Sequence, residues 1–191
     1  MELSPWITVV SGLPRSGTSL MMQMLAAAGL EAVTDGQRGA DVDNPRGYYE
    51  FEPVKKTRRD ASWAPAARGK AVKVVSALLY DLPASERYRV VFMHRDMSEI
   101  LASQAAMLER LGRTSAPSAQ LRASFTAHLE RLAEWLPHQT HLQVLELSYN
   151  ELLRDPQPQI DRLAAFLPAL PRPEGLRGAV DPSLYRNRES S

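Results

Sequence analysis

Residues 12–19, with the sequence GLPRSGTS, combine residue types that could bind an anion. A β-branched run at 6–11 precedes them and a run with helical apolar spacing follows, which predicts strand, turn and helix. In such a turn, successive backbone N–H groups converge on an anion at the helix N-terminus, and glycine lets the backbone approach closely. Arg15 adds a permanently charged, forked donor that suits a phosphate or sulfonate. The predicted binding residues are Pro14, Arg15, Ser16, Gly17, Thr18 and Ser19.

The spacing of Gly12 and Gly17 also matches the core of a Walker A loop, the ATP-binding motif. Thr18, however, stands where that motif needs the lysine that reaches the β- and γ-phosphates. A P-loop kinase or hydrolase using ATP and Mg²⁺ is therefore one alternative, with Asp96 as its obvious acidic ligand. A turn that only joins a strand to a helix is another.

A second motif, VVFMHRDMSEILAS, runs from an apolar strand into a helix. It places Arg95 at the carboxyl end of the strand, where open α/β sheets bind their ligands, and Ser103 eight residues further along. The alternative is that Asp96 caps the helix, with Glu99 in a capping-box arrangement, while Arg95 and Ser103 face solvent. Capping and binding are compatible.

The order of apolar patterns predicts the elements that position these motifs. Short apolar runs at 6–11, 71–75, 89–93 and 143–147 alternate with helical patterns near 97–111 and 117–136. Such alternation indicates an α/β chain with a central parallel sheet flanked by helices, the three-layer arrangement of P-loop NTPase-like folds.

The length of 191 residues and the apolar content of 44% predict one domain over 1–191. Residues 34–69 are rich in Asp, Gly, Pro and Arg with weak periodicity, and we interpret them as an acceptor-binding insertion. Residues 168–191 are interrupted by Pro and Gly, and we expect a tail lying over the domain.

Composition excludes several classes of function. With 23 basic and 22 acidic residues, the chain lacks the positive field that holds nucleic acid, so any anion site must be local. Without cysteine there is no thiolate nucleophile or Cys-ligated zinc. We interpret the segment with His138 and His141 as a connector, so we expect no metal site. The start of the chain leaves no room for a signal peptide and no run could span a bilayer, which predicts a cytoplasmic protein. The oligomeric state is not predicted.

The sequence PRSGTS, set between a strand and an apolar helix, resembles the 5′-phosphosulfate loop of sulfotransferases, above all the P-R-S-G-T-T form of tyrosylprotein sulfotransferases. Cytosolic members usually carry Lys at the position of Arg15, and NPRGYYE resembles a segment of bacterial sulfotransferase-like chains. The resemblance implies transfer of a sulfuryl group from 3′-phosphoadenosine 5′-phosphosulfate (PAPS) to an unidentified small-molecule or protein acceptor through its hydroxyl or amine. A nucleotide-binding module that has lost catalysis is a further alternative.

The resemblance also implies roles for residues outside the loop. Arg95 and Ser103 match the pair that holds the 3′-phosphate of the donor. The segment LSYNELLRDP is similar to a late sulfotransferase motif and places Tyr149 near the adenine, although its apolar residues could equally form core. Arg186 and Arg188 could close over the donor, as basic C-terminal segments do in cytosolic relatives, or belong to a solvated tail.

Sulfuryl transfer requires an in-line arrangement and neutralised charge more than covalent chemistry by the protein. Arg15 is the first candidate for this role. Lys73 is the second, because it lies within an apolar strand where sulfotransferases carry a lysine; an edge-strand charge that prevents aggregation is the alternative.

The general base is the least determined part of the prediction. In cytosolic members the strand lysine begins Lys-Thr-His-Leu-Pro, whose histidine is the base, but Val75 occupies that position here. Tyrosylprotein sulfotransferases use an acidic residue about 20 positions beyond the loop Arg, which reaches Asp35, although Asp-Gly could simply form a turn. Glu50 is the second candidate and His94 the third.

Overall fold

A computed structural model describes residues 5–36, 47–113 and 118–180 of the chain. Its centre is a five-stranded sheet in the order β2-β3-β1-β4-β5, in which every pairing is parallel. The strands are β1 (Trp6–Gly12), β2 (Ala32–Val33), β3 (Ala71–Lys73), β4 (Arg87–His94) and β5 (Leu142–Ser148). This arrangement confirms the predicted α/β fold class.

Helices connect the strands and cover both faces of the sheet. They are α1 (Thr18–Ala27), α2 (Met97–Arg110), α3 (Ser118–Trp135), α4 (Tyr149–Arg154), α5 (Pro156–Phe166) and α6 (Gly175–Gly178). Short 3₁₀ helices lie at Glu52–Lys56, Ala64–Ala67, Ser76–Asp81 and Leu136–His138. None of the helices within the described residues is long and apolar enough to cross a membrane.

The alternating side chains of the strands supply two separate cores, as a sheet buried on both faces requires. On one face, Val10 and Val91 pack with Met21, Met24 and Leu25 of α1, together with side chains of α4, α5 and α6. On the other face, Ile7, Val9 and Val90 pack with Leu132 of α3 and with Trp63. Both faces of β1 are therefore buried, which explains its continuous apolar sequence.

Three parts of the chain differ from the expected pattern. β3 ends at Lys73 rather than at residue 75, because the chain turns at Val75 into a 3₁₀ helix. Residues 34–69 were expected to lack clear elements, but their described part, 34–36 and 47–69, contains two 3₁₀ helices and the buried Trp63. Residues 168–180, expected to lie over the domain, bury Leu170, Leu176 and Ala179 in the first core.

Candidate functional site

The loop between β1 and α1 lies at the carboxyl edge of the parallel sheet. Gly17 caps α1 with φ 96°, no side chain caps this helix end, and the first turn contains no acidic residue. The N–H of Ser16 donates to the carbonyl of Leu13 (3.2 Å), which closes the loop. Pro14 is exposed, whereas Thr18 is buried where the helix begins. The unsatisfied first-turn N–H groups and the helix dipole therefore favour an anion here.

The walls of this loop are too close for side chains at its two glycines. A Cβ at Gly12 would overlap Ser16 Oγ and lie 2.6 Å from the carbonyl oxygen of Met93, and one at Gly17 would overlap the Tyr149 ring. The hydroxyl of Ser16 is buried, and within the described residues it has no hydrogen-bond partner. A buried hydroxyl usually has a partner, so the Ser16 hydroxyl can donate to an acceptor that the described residues do not supply.

Arg15 connects the loop to α2. Its Nε donates to Ser103 Oγ (2.9 Å), although the two residues are 88 positions apart, and Ser103 is buried. Arg95 Nη1 in turn donates to the carbonyl of Arg15 (3.1 Å). The loop and the Arg95/Ser103 motif, which the sequence analysis identified separately, therefore meet in one site.

Arg95 is held from two further directions. Its Nε donates to Glu99 Oε2 (2.8 Å) one helical turn along, and both side chains are buried. The guanidinium carbon, Cζ, lies over the Tyr149 ring at 4.6 Å from its centroid, a cation–π distance. Burial raises the pKa of Tyr149, and the charge of Arg95 partly offsets that rise.

Asp96 is the N-cap of α2. Its carboxylate accepts from the N–H of Ser98 (2.8 Å), from the Ser98 hydroxyl and from the N–H of Glu99 (3.4 Å). The hydrogen bond from the Ser98 hydroxyl is the main reason that the pKa of Asp96 is lowered. Asp96 therefore caps α2 while its neighbour Arg95 contacts the loop at 12–19, so the two alternatives for this motif are compatible. No group of side chains within the described residues has the arrangement of a metal site.

Lys73 lies beside the loop because β3 pairs with β1, with Val10 opposite it. Its Nζ donates to Ser19 Oγ (3.2 Å) in the first turn of α1 and to the carbonyl of Tyr48 (3.0 Å). The ammonium group therefore adds a further positive charge to the edge of the sheet where Arg15 and Arg95 lie.

The three candidates for the general base lie in different surroundings. Asp35 Oδ2 accepts from the N–H of Glu52 (2.7 Å) at the start of a 3₁₀ helix. Glu50 lies 3.7 Å from Lys55 Nζ. His94, at the end of β4, packs on Phe92 and lies 3.4 Å from Glu146. Arg186 and Arg188 lie outside the described residues.

Two polar pairs that link distant parts of the chain gave no signal in the sequence. Ser76, buried just after the Val75 position, shares a hydrogen bond of 2.9 Å with Nε2 of His128 on α3. Asn150 donates to Glu99 Oε1 (3.1 Å) across 51 positions. Neither pair has a characteristic spacing, so only the fold brings the partners together.

Comparison with known proteins gives a family match for the chain. A family model described as "Sulfotransferase domain" matches residues 7–181. No curated protein matches the chain.

Several solved structures are similar in fold. The sulfotransferase domain from the Synechococcus PCC 7002 olefin synthase is 16% identical, with 96% of this chain and 87% of that chain covered and a TM-score of 0.57. Retinol dehydratase in complex with androsterone and the inactive cofactor PAP is 17% identical, with 98% and 67% covered and a TM-score of 0.53. Mouse sulfotransferase SULT7A1 complexed with PAP is 15% identical, with 94% and 64% covered and a TM-score of 0.54.

Proposed function

The chain belongs to the sulfotransferase domain family, and from this premise we propose that it transfers a sulfuryl group from PAPS to a hydroxyl or amine acceptor. The observation that carries the proposal is the meeting of the loop at 12–19 with Arg95 and Ser103, through Arg15. A donor with phosphate groups at both its 3′ and 5′ positions would engage both motifs at once. PAP, the product that PAPS leaves after transfer, is bound in both the retinol dehydratase structure and the SULT7A1 structure.

The residues present fit this donor. The loop N–H groups, the Ser16 hydroxyl and Thr18 would hold the 5′-phosphosulfate, while Arg95 and Ser103 would hold the 3′-phosphate. Tyr149 covers the loop at Gly17 and would border the adenine. The absence of a lysine at Thr18 removes the contact on which ATP-dependent P-loop enzymes rely.

Arg15 and Lys73 would stabilise the transfer itself. Both bring positive charge to one edge of the sheet, where it can neutralise the oxygens of the sulfuryl group as the bond to the donor breaks. Preorganised charges of this kind act without further reorganisation, so they lower the barrier more than they strengthen ground-state binding.

Removal of the acceptor proton is assigned to Asp35, with Glu50 and His94 as the second and third candidates. The chain segment that holds Asp35 and Glu50 is tied together by a hydrogen bond from the N–H of Asp35 to the carbonyl of Glu50 (3.4 Å). Asp35→Asn is expected to abolish turnover while donor binding is kept. Full turnover by this variant would move the role to Glu50 or His94.

Calorimetric titration with adenosine 3′,5′-bisphosphate, and separately with ATP and Mg²⁺, tests the donor assignment. We expect the bisphosphate to bind more tightly, and Arg95→Ala to weaken it by about 10- to 100-fold, the value of one or two charge-assisted hydrogen bonds. Arg87→Ala is the matched control, because Arg87 lies at the other end of β4.

The opposite results are equally informative. Tighter binding of ATP with Mg²⁺ would favour a kinase or hydrolase, and binding of neither nucleotide would remove the 3′-phosphate assignment. Bisphosphate binding without transfer from PAPS to any member of a panel of phenols, sugars, sterols and amines would favour a non-catalytic nucleotide-binding module.

A further inference from the structure

The buried ion pair of Arg95 and Glu99 needs a physical reason. The side chains are only 7% and 5% exposed, so both charges have lost most of their hydration. The attraction within a buried pair rarely exceeds that desolvation cost by much, and a well-packed apolar pair is often as stable. A carboxylate would also repel a phosphate bound at Arg95. Neither protein stability nor attraction of the ligand therefore explains why a carboxylate is present at Glu99. Its hydrogen bond to Arg95 offers another explanation, because it fixes the direction of the guanidinium.

Asn150 holds the other oxygen of the Glu99 carboxylate. Its Nδ2 donates to Glu99 Oε1 (3.1 Å), and its Oδ1 accepts from the N–H of Asp96 (3.0 Å). Because the two ends of this amide face partners of opposite type, its orientation is determined. Glu99 is thus gripped by Arg95 on one oxygen and by Asn150 on the other.

The residue before Asn150 also contacts the guanidinium of Arg95. Tyr149, directly before Asn150, packs 4.6 Å from the guanidinium of Arg95. The Nη1 of Arg95 donates to the carbonyl of Arg15 in the loop (3.1 Å). The guanidinium of Arg95 is therefore held by Glu99, by the Tyr149 ring and by the carbonyl of Arg15, which belong to three different parts of the chain.

We propose that Glu99 and Asn150 are positioning residues that preset Arg95 for a 3′-phosphate, so that they determine the preference for a 3′,5′-bisphosphate over a 5′-monophosphate. The inference rests on the proposed function. A preset guanidinium loses little side-chain entropy when a phosphate binds, whereas an unanchored arginine must be ordered by the ligand. The benefit falls only on ligands that carry the 3′-phosphate.

The test compares calorimetric affinities for adenosine 3′,5′-bisphosphate and adenosine 5′-monophosphate. In Glu99→Gln, the amide N–H₂ replaces one of the two carboxylate oxygens and faces a donor, either Arg95 Nε or Asn150 Nδ2, while the remaining oxygen is a weaker acceptor. Arg95 is then held less firmly, so the preference for the bisphosphate is expected to fall about tenfold. Asn150→Ala removes the hydrogen bond to Glu99 Oε1 but leaves the ion pair with Arg95, so it is expected to lower the preference for the bisphosphate by a smaller factor. Glu109→Gln, which removes a carboxylate from the exposed part of α2, is the control and should leave the preference unchanged.

The sign of the effect separates position from charge. If Glu99 acted only by repelling phosphate, Glu99→Gln would strengthen bisphosphate binding, and that result would overturn the inference. An unchanged preference in both variants would do the same. Equal loss of affinity for both nucleotides would indicate a general structural role and also count against it. If circular dichroism shows that Glu99→Gln is not folded, the nucleotide preference of Asn150→Ala alone tests the inference. A wild-type protein without any preference would instead refute the proposed function.

Discussion

Replacement of Gly17 by alanine is expected to damage both the stability of the protein and its anion cradle. Gly17 has φ 96°, in the left-handed region that a side chain disfavours. An alanine Cβ would overlap Cδ2 of Tyr149 and lie 2.9 Å from Cε2, and this ring is itself buried against the first core. Neither the loop nor the ring can move without changing the contact with Arg95.

The magnitude follows from two separate costs. A non-glycine residue in this backbone region costs about 1–2 kcal/mol. Forcing an extra methyl group into a packed site costs about 1–3 kcal/mol more. Gly112 provides the matched control, because it also has a positive φ (65°) but nothing lies within 4 Å of its Cβ position. Gly112→Ala should therefore show the backbone cost alone.

Urea unfolding of the two variants measures the difference, and a double-mutant cycle assigns it. If the methyl group clashes with the ring, Gly17→Ala should cost about 1–3 kcal/mol less in a Tyr149→Ala background than in the wild type. The titration with adenosine 3′,5′-bisphosphate should show a loss of at least about tenfold for Gly17→Ala. Equal destabilisation by Gly17→Ala and Gly112→Ala, with no coupling to Tyr149, would refute the packing argument.

Three further changes test other parts of the structure. Thr57→Val removes the buried acceptor of the Trp63 indole N–H (3.0 Å), and urea unfolding should show a loss of about 1–3 kcal/mol. Burial, and to a lesser degree a nearby arginine, lowers the pKa of His128 in the folded protein. The unfolded chain therefore binds a proton at His128 more readily, so the protein is most stable above the unfolded pKa of about 6.5 and loses stability as the pH falls from there through the folded pKa. The difference in melting temperature between about pH 8 and pH 5.5 should therefore shrink in His128→Gln and stay unchanged in the exposed control His138→Gln. Lys73→Met should lower turnover of PAPS by about 100-fold while bisphosphate affinity changes little, and a parallel loss of both would count against a role in transfer.

The central strands could be predicted because a parallel sheet covered on both faces needs unbroken apolar runs, and β1 and β4 have them. β2 has only two residues, Ala32 and Val33, so it leaves no pattern in the sequence. The packing of residues 168–180 could not be predicted for a different reason. Leu170 and Leu176 are isolated apolar residues among prolines and glycines, yet both are buried. Gly175 does not interrupt the packing there. It lets this segment lie close to α1, since a Cβ at this position would overlap the carbonyl of Ala27.

The candidate site shows the same division between local and long-range information. The loop at 12–19 and the Arg95/Ser103 pair are local motifs, and the sequence identified them before the fold placed them side by side. Their binding roles stay predictions. The grip of Asn150 on Glu99 joins two elements that are adjacent only because β4 pairs with β5, so no window of sequence contains it.

Arg15 shows how the two motifs depend on each other. Its φ of 71° lies in the left-handed region, at a cost of order 1–3 kcal/mol for a residue with a side chain. Glycine would remove that cost but also the only charged side chain within residues 12–19. Two of the contacts that hold Arg15 there come from the other motif, since Arg95 donates to its carbonyl and Ser103 accepts from its Nε. The residues assigned to the 3′-phosphate therefore also support the backbone of the loop at Arg15, which favours the proposal of a ligand that engages both ends of the site rather than a single phosphate.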